Sequence, residues 1–288
     1  MSTAAPPVTP DRVLVRALRK QGPFPALFCV VAPGVNALGY TSLARALGPG
    51  ETACVVQGHG TPRSLGPYGR REYGLEECES LATAYLAALK KAQPEGPYFL
   101  AGMCEGAHLA LAVARKLEAE GARVALLAML DTWPLQNTSR PALVMLEGLR
   151  RRLGRMSQEE RRTWISTRAK NLVGLLRARL FGGRAAAAGK NEGYRHWRAR
   201  VWPGKSFTPP RYGGPITVLS VRHQPYWRIR DEHLGWRAWT RARVERHIVP
   251  GEHATLLRAP HVESVAQILT SCLAAARSGA SATIGEAR

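Results

Sequence analysis

Apolar runs of four to seven residues recur along the chain, each bounded by Gly, Pro or polar turn residues: Ala26–Val31, Ala53–Gln57, Tyr98–Ala101, Val124–Leu130, Ile216–Val221 and Val244–Val249. Runs this short and this rich in Val, Ile and Leu read as strands buried on both faces. Between several of them, Leu75–Lys91, Ala107–Glu120 and Val262–Ala276 space their apolar residues three and four apart, the period of a helix with one buried stripe. Alternation of buried strand and amphipathic helix predicts one α/β domain, a mostly parallel sheet with helices on both faces. A chain of 288 residues has room for such a domain and an insertion.

The strand signal vanishes from Pro141 to about Trp202. Leu143–Leu153 and Trp164–Phe181 predict amphipathic helices there, with the glycine-bearing stretch Gly182–Ala185 beside them. The expected organisation is an N-terminal extension at 1–22, a domain at 23–277 with an insert at about 135–212, and a C-terminal tail at 278–288. An insert of this kind commonly covers the active site as a lid, the alternative being a surface elaboration.

The formal net charge of +20 points first to an acidic partner such as nucleic acid. The distribution argues otherwise, because residues 140–200 alone hold sixteen Arg or Lys against four Glu. That concentration reads either as a solvated helical face or as a docking surface, and no aromatic ladder for stacking bases runs through it. No stretch approaches the roughly 20 apolar residues of a membrane span. Met1–Pro10 lacks the basic and apolar regions of a secretory signal, so a cytoplasmic location is expected. Five scattered cysteines suit reduced thiols rather than a disulfide scaffold or a zinc site. No ligand cluster or phosphate-cradling loop calls for a metal or a nucleotide.

Tyr98–Leu111 has the form strand, Gly-x-Cys-x-Gly, helix. A nucleophile on so tight a turn needs small flanking residues, since side chains there would collide with the neighbouring strand and helix. The turn lifts the Cys104 sulfur above the sheet, at a helix N-terminus whose dipole favours negative charge, and leaves the Glu105 N–H for an oxyanion. The competing reading is a small buried cysteine closing a strand. A general base belongs on a loop late in the chain, which places His253 of Pro250-Gly-Glu-His-Ala254 in that role. His59 in a Gly-rich turn, His261 at a helix start and His108 one turn after Cys104 fit capping, surface or packing roles better. The orienting acid should end a strand after the turn. Asp131, closing Leu126–Leu130, is preferred to Asp231 on that ground. The second oxyanion donor is expected in Val31–Asn36, where the Gly34 N–H can approach a substrate and Pro33 has no proton to give.

Taken together, these residues resemble the thioesterase domains that end polyketide and nonribosomal peptide assembly lines. The resemblance runs through Ala26–Gly34, Gly39–Leu47, Gly96–Gly106, Leu127–Thr132 and Val249–Leu257. It implies an α/β-hydrolase fold with a helical lid inserted after the strand carrying the acid. It also implies Cys104 as nucleophile, Asp131 as acid, His253 as base, and the N–H groups of Gly34 and Glu105 as oxyanion hole. Most members carry Ser where this chain has Cys104, and most have His-Pro where it has Ala32-Pro33. A charged Glu105 after the nucleophile is also unusual.

Transfer from a carrier thioester to Cys104 would give another thioester and conserve most of the group-transfer energy, so an amine, a thiol or an internal hydroxyl becomes a ready acceptor. The leading expectation is therefore an acyltransferase that takes an acyl or peptidyl chain from a carrier-protein phosphopantetheine and releases it by aminolysis or cyclisation, with no bound cofactor of its own. An acyl shuttle between carriers, a hydrolytic thioesterase, a dienelactone-hydrolase-like enzyme and a non-catalytic basic binding protein are the alternatives. A chain starting at its own Met1 would meet its acyl or peptidyl carrier protein in trans. Carriers are typically acidic, which makes Arg151, Arg152 and Arg155 candidate docking residues.

Overall fold

The computed structural model describes residues 13–19, 22–33, 35–58, 75–134, 209–222 and 232–279, together with 146, 150, 153–154, 156–163 and 165–166. The side chains of 75–78 are outside that description. Among the described residues of the first part of the chain and of its C-terminal part, the strands and helices in chain order are β1 (Val13–Arg19), β2 (Leu27–Val31), α1 (Leu38–Ala46), β3 (Ala53–Gly58), α2 (Leu75–Ala92), β4 (Tyr98–Met103), α3 (Glu105–Ala119), β5 (Val124–Leu130), β6 (Ile216–Val221), β7 (Val244–Val249) and α4 (His261–Ser278). A 3₁₀ turn, Trp236–Trp239, precedes β7.

The seven strands form one sheet in the order β1-β3-β2-β4-β5-β6-β7. Every pairing is parallel except that of β1 with β3. Every residue of β2 and of β6 is buried, as expected of strands covered on both faces. Leu27, Phe99, Ala101, Leu130, Leu219 and Leu269 belong to the same core cluster, which joins strands to α4. Arg277 near the end of α4 grips Glu51 with its two terminal guanidinium nitrogens, Nη1 and Nη2, and lies 4.1 Å over the Phe24 ring, fastening the helix to the chain entering β3.

Two elements differ from expectation. Val13–Arg19, assigned from sequence to a loose extension, is an edge strand whose pairing runs from Val13↔Gly58 to Arg19↔Ala53. Only Val13 is fully buried in it, so the strand lacks the apolar run that marks the inner strands. Helix α1, within the Gly39–Leu47 segment, was not among the helices expected from periodicity; its buried Tyr40, Leu43 and Ala44 make one side of a nine-residue helix.

The chain divides into two compact units, one of 1–135, 209–224 and 230–288, the other of 136–208 and 225–229. Most of the helices expected at 143–153 and 164–181 lie outside the described residues. Within the second unit residues 158–163 are helical. The Ser157 hydroxyl accepts the Glu160 N–H at 3.2 Å while Glu160 Oε2 accepts the Ser157 N–H at 2.8 Å, a reciprocal cap that starts the helix. These hydrogen bonds hold the Glu160 carboxyl below its ordinary range. No helix among the described residues is long and apolar enough to cross a membrane.

Candidate active site

Strand β4 ends at Met103 and α3 begins at Glu105, so Cys104 alone makes the turn. It does so at φ 53° and ψ −130°, a conformation that costs a non-glycine residue about 1–3 kcal/mol. The flanking glycines are there because nothing larger fits. A Cβ on Gly102 would come within 2.4 Å of the Gly106 carbonyl oxygen, and one on Gly106 within 2.2 Å of the Val30 carbonyl oxygen. Both obstacles are backbone, which no rotamer change relieves.

His253 meets this turn from the loop between β7 and α4. Its Nε2 lies 2.8 Å from Cys104 Sγ. Its Nδ1 faces the Asp131 carboxylate oxygen Oδ2 and the Asp131 backbone carbonyl, both at 2.9 Å. Both are acceptors, so Nδ1 carries a proton and Nε2 is the nitrogen left to exchange one with sulfur. The loop is folded on itself, with the Thr255 and Leu256 N–H groups both donating to the Glu252 carbonyl at 2.9 Å. The ring of His261, at the start of α4, rests against Gly251 just upstream.

Asp131 follows the last residue of β5 and is wholly buried, with φ 42°. Its N–H donates to the Leu219 carbonyl at 2.6 Å, and its Oδ1 accepts the Val221 N–H at 2.9 Å. Strand β6 therefore holds one carboxylate oxygen and leaves the other to His253. Burial alone would lower the imidazole's proton affinity. The hydrogen bonds to Asp131 and Cys104, with the negative charge of both, outweigh it and push His253 up from 6.5 to about 10.

That direction has a measurable consequence. A histidine whose folded value lies above its unfolded one contributes stability that is fully present below pH 6.5 and is lost as pH rises through about 10. Thermal melts of the wild type and His253→Ala should therefore converge between about pH 6 and about pH 10; parallel curves would show that His253 holds no extra proton.

Glu105 is the first residue of α3, where helix N–H groups have no acceptor within the helix. Gly34, the other expected oxyanion donor, lies outside the described residues, as do Asp231, His59, Arg151, Arg152 and Arg155. Around Gly34 the loop is braced. Tyr85 donates its hydroxyl to the Val31 carbonyl and accepts the Gly58 N–H, each at 2.7 Å, and Gln57 Nε2 donates to the Val35 carbonyl at 2.6 Å. His108 packs its ring 6.0 Å from that of Trp236.

Three neighbours of the site were not singled out from sequence. Thr132 Oγ1 accepts the Cys104 N–H at 2.8 Å. Trp133 stacks on the His253 imidazole, with ring centroids 6.3 Å apart and planes 29° off parallel. Trp236, fully buried, donates its indole N–H to the Thr132 carbonyl at 2.7 Å. The only sequence signal was proximity of Thr132 and Trp133 to Asp131. Among the described residues no group of three or more His, Cys, Asp or Glu is placed to hold a metal ion.

The model of the thioesterase domain family matches residues 25–273, a span that includes Cys104, Asp131 and His253. The chain belongs to the thioesterase domain family. This thioesterase-family chain is 38% identical over 115 residues to enterobactin synthase component F of Escherichia coli (strain K12), a match covering 40% of this chain and 8% of that protein. It is 26% identical over 275 residues to chondramide synthase cmdD of Chondromyces crocatus, covering 88% of this chain and 7% of the synthase. The chain thus spans less than a tenth of either relative. Among solved structures, a covalent complex of the NocB thioesterase domain with a fluorophosphonate nocardicin G analog matches at 25% identity and a TM-score of 0.53, covering 91% of this chain and 99% of that one. The Vlm2 thioesterase domain carrying 2,3-diaminopropionic acid bound with a tetradepsipeptide matches at 24% identity and a TM-score of 0.51, covering 89% and 96%, and supports the fold. Family and fold agree with the α/β-hydrolase expectation.

Proposed function

We propose that this chain accepts an acyl or peptidyl group from a carrier-protein phosphopantetheine thioester onto Cys104 and releases it by aminolysis or cyclisation. The observation that carries this reading is the 2.8 Å approach of His253 Nε2 to Cys104 Sγ, with Asp131 held behind the imidazole. The origins of the matched relatives, among them synthases of enterobactin and chondramide, support a carrier-bound substrate.

In the resting site the raised proton affinity of His253 favours an imidazolium facing the sulfur. The thiolate attacks the thioester carbonyl, and the oxyanion is met by the Glu105 N–H and, in this proposal, by that of Gly34. The bond from carbon to the pantetheine sulfur then breaks, and His253 Nε2 gives its proton to the departing thiolate. Once acylated, Cys104 carries no negative charge, and part of what held the proton on His253 is gone. The neutral imidazole can now take a proton from an amine, hydroxyl or thiol as it attacks the acyl carbon. Cys104 leaves as thiolate and the imidazolium is restored. Acylation itself thus converts the acid of the first half into the base of the second.

Hydrolysis is the second reading, favoured by the 40% exposure of the His253 side chain, which admits water to the same base. Product analysis by mass spectrometry decides between them. Amide, ring or carrier-bound acyl supports transfer, and free acid alone overturns it in favour of hydrolysis. Docking of an acidic carrier protein is assigned in this proposal to the basic segment at Arg151, Arg152 and Arg155. Reversing these charges should raise KM for carrier-bound substrates and leave small thioesters unaffected, because rim charges act on encounter. Equal effects on both substrates would remove the docking role.

A further inference from the structure

We propose that Thr132 is a positioning residue for Cys104, its hydroxyl tying the nucleophile turn to the acid turn. The inference rests on the reading of Cys104 as the acyl-bearing residue. It begins from the register of the central strands. The β4–β5 ladder ends at Met103↔Leu130, so Cys104 and Asp131 stand side by side, one residue beyond the last pair. Both leave the ladder at positive φ, 53° and 42°. At that point the Cys104 N–H has passed the end of the strand, and α3 starts only at Glu105.

Thr132 supplies the missing acceptor. Its Oγ1 takes the Cys104 N–H at 2.8 Å, and its own proton goes to the Leu130 carbonyl at 2.8 Å. The hydroxyl thus joins the last carbonyl of β5 to the amide of the nucleophile, standing in for a ladder bond that the turn has broken. The same bond turns the Cys104 amide toward β5, leaving the Glu105 N–H as the helix-end donor for an oxyanion.

The anchor is itself fixed. Thr132 is 4% exposed, its carbonyl accepts the Trp236 indole N–H, and the preceding Asp131 is bonded on both sides to β6. A strained residue held by one side-chain bond to so rigid a partner keeps its sulfur where His253 Nε2 can reach it. Without that bond, Cys104 is free to relax toward a less strained conformation and carry the sulfur away from the imidazole. A misplacement of about 1 Å in such a constellation costs about 100-fold in rate.

The test compares Thr132→Val, which keeps the shape and loses the hydroxyl, with Thr132→Ser, which keeps the hydroxyl. Thr240→Val is the control. Thr240 makes the same relay elsewhere, its Oγ1 donating to the Gly214 carbonyl at 2.6 Å and accepting the Ala242 N–H at 3.0 Å, and it too is buried. Acylation of Cys104 by a small thioester is followed by mass spectrometry, with kcat and KM for release and Tm for each variant. Thr132→Val should lower the acylation rate and kcat by about 100-fold with KM within about twofold, and Thr132→Ser should stay within about threefold of wild type. Thr240→Val should lose comparable stability and keep its rate.

A Thr132→Val enzyme acylated at the wild-type rate, or slowed no more than Thr240→Val, overturns the proposal. Wild-type Cys104 that takes up no acyl group overturns the functional reading, and this inference with it. Hydrogen exchange on the wild type gives a test that needs no variant to fold: the Cys104 amide should be protected. Exchange as fast as an open turn would contradict the bond to Thr132.

Discussion

Cys104→Ala should abolish acyl loading and all turnover of carrier-bound thioesters, and Cys104→Ser should keep the fold while changing the outcome. Serine fits the same space between Gly102 and Gly106. Its hydroxyl, a far weaker acid than a thiol, has to lose its proton to the base as it attacks. Loading of the serine enzyme therefore depends on concurrent base catalysis, and a fall of about 100-fold or more is expected. The oxoester it forms is a poorer donor to amines than a thioester, so the product should shift toward free acid. The check is the initial rate of loading together with the ratio of acid to amide or ring. A serine enzyme that gives the same product at an unchanged rate would show that the sulfur confers no advantage in group transfer.

Asp131→Asn should reduce release by about 100- to 1,000-fold, less than the roughly 10,000-fold known for the corresponding change in a serine triad. In wild type, Oδ1 accepts from Val221 and Oδ2 from His253, so both oxygens are acceptors in use. An asparagine has one oxygen and one NH₂ group to cover two donors. Either the NH₂ group faces the Val221 N–H, two donors in a wholly buried place, or it faces His253 Nδ1 and drives the imidazole proton to Nε2. In the second arrangement the nitrogen beside Cys104 can no longer accept a proton. The loss is smaller than in a serine triad because the Asp131 backbone carbonyl, also 2.9 Å from Nδ1, remains as an acceptor for the correct tautomer. Steady-state kcat with a small thioester measures this. A change of less than about threefold would mean that the carbonyl alone orients His253.

The architecture was legible where burial is two-sided. Val124–Leu130 and Ile216–Val221 have the bounds expected from their apolar runs, because a strand sandwiched between helices leaves no room for charged residues; the edge strand Val244–Val249 also has its expected bounds, although Glu245, Arg246 and His247 interrupt its apolar residues. The edge strand β1 was not legible, since only Val13 is fully buried in it and Arg16 and Arg19 break its apolar residues. The tight turn at Cys104 could be read because its flanking glycines answer to a collision that local sequence already implies. The preference for Asp131 over Asp231 rested on strand-end placement; the Asp131 carboxylate lies 2.9 Å from His253 Nδ1, and Asp231 is outside the described residues. Thr132 and Trp236 were invisible because their roles come from strand register and from a hydrogen bond between residues 104 positions apart. Neither leaves a periodic trace.

The central claim is that the chain is held on Cys104 as a thioester before release. It is tested most directly by intact-protein mass spectrometry of the wild type incubated with an acyl-loaded carrier protein, followed by peptide mapping and treatment with neutral hydroxylamine. The account predicts a mass increase equal to the acyl group, located on the peptide containing Cys104 and removed by hydroxylamine as a thioester is. Label on Cys29, Cys54, Cys78 or Cys272, or turnover of the carrier thioester by a Cys104→Ala enzyme at the wild-type rate, would contradict it.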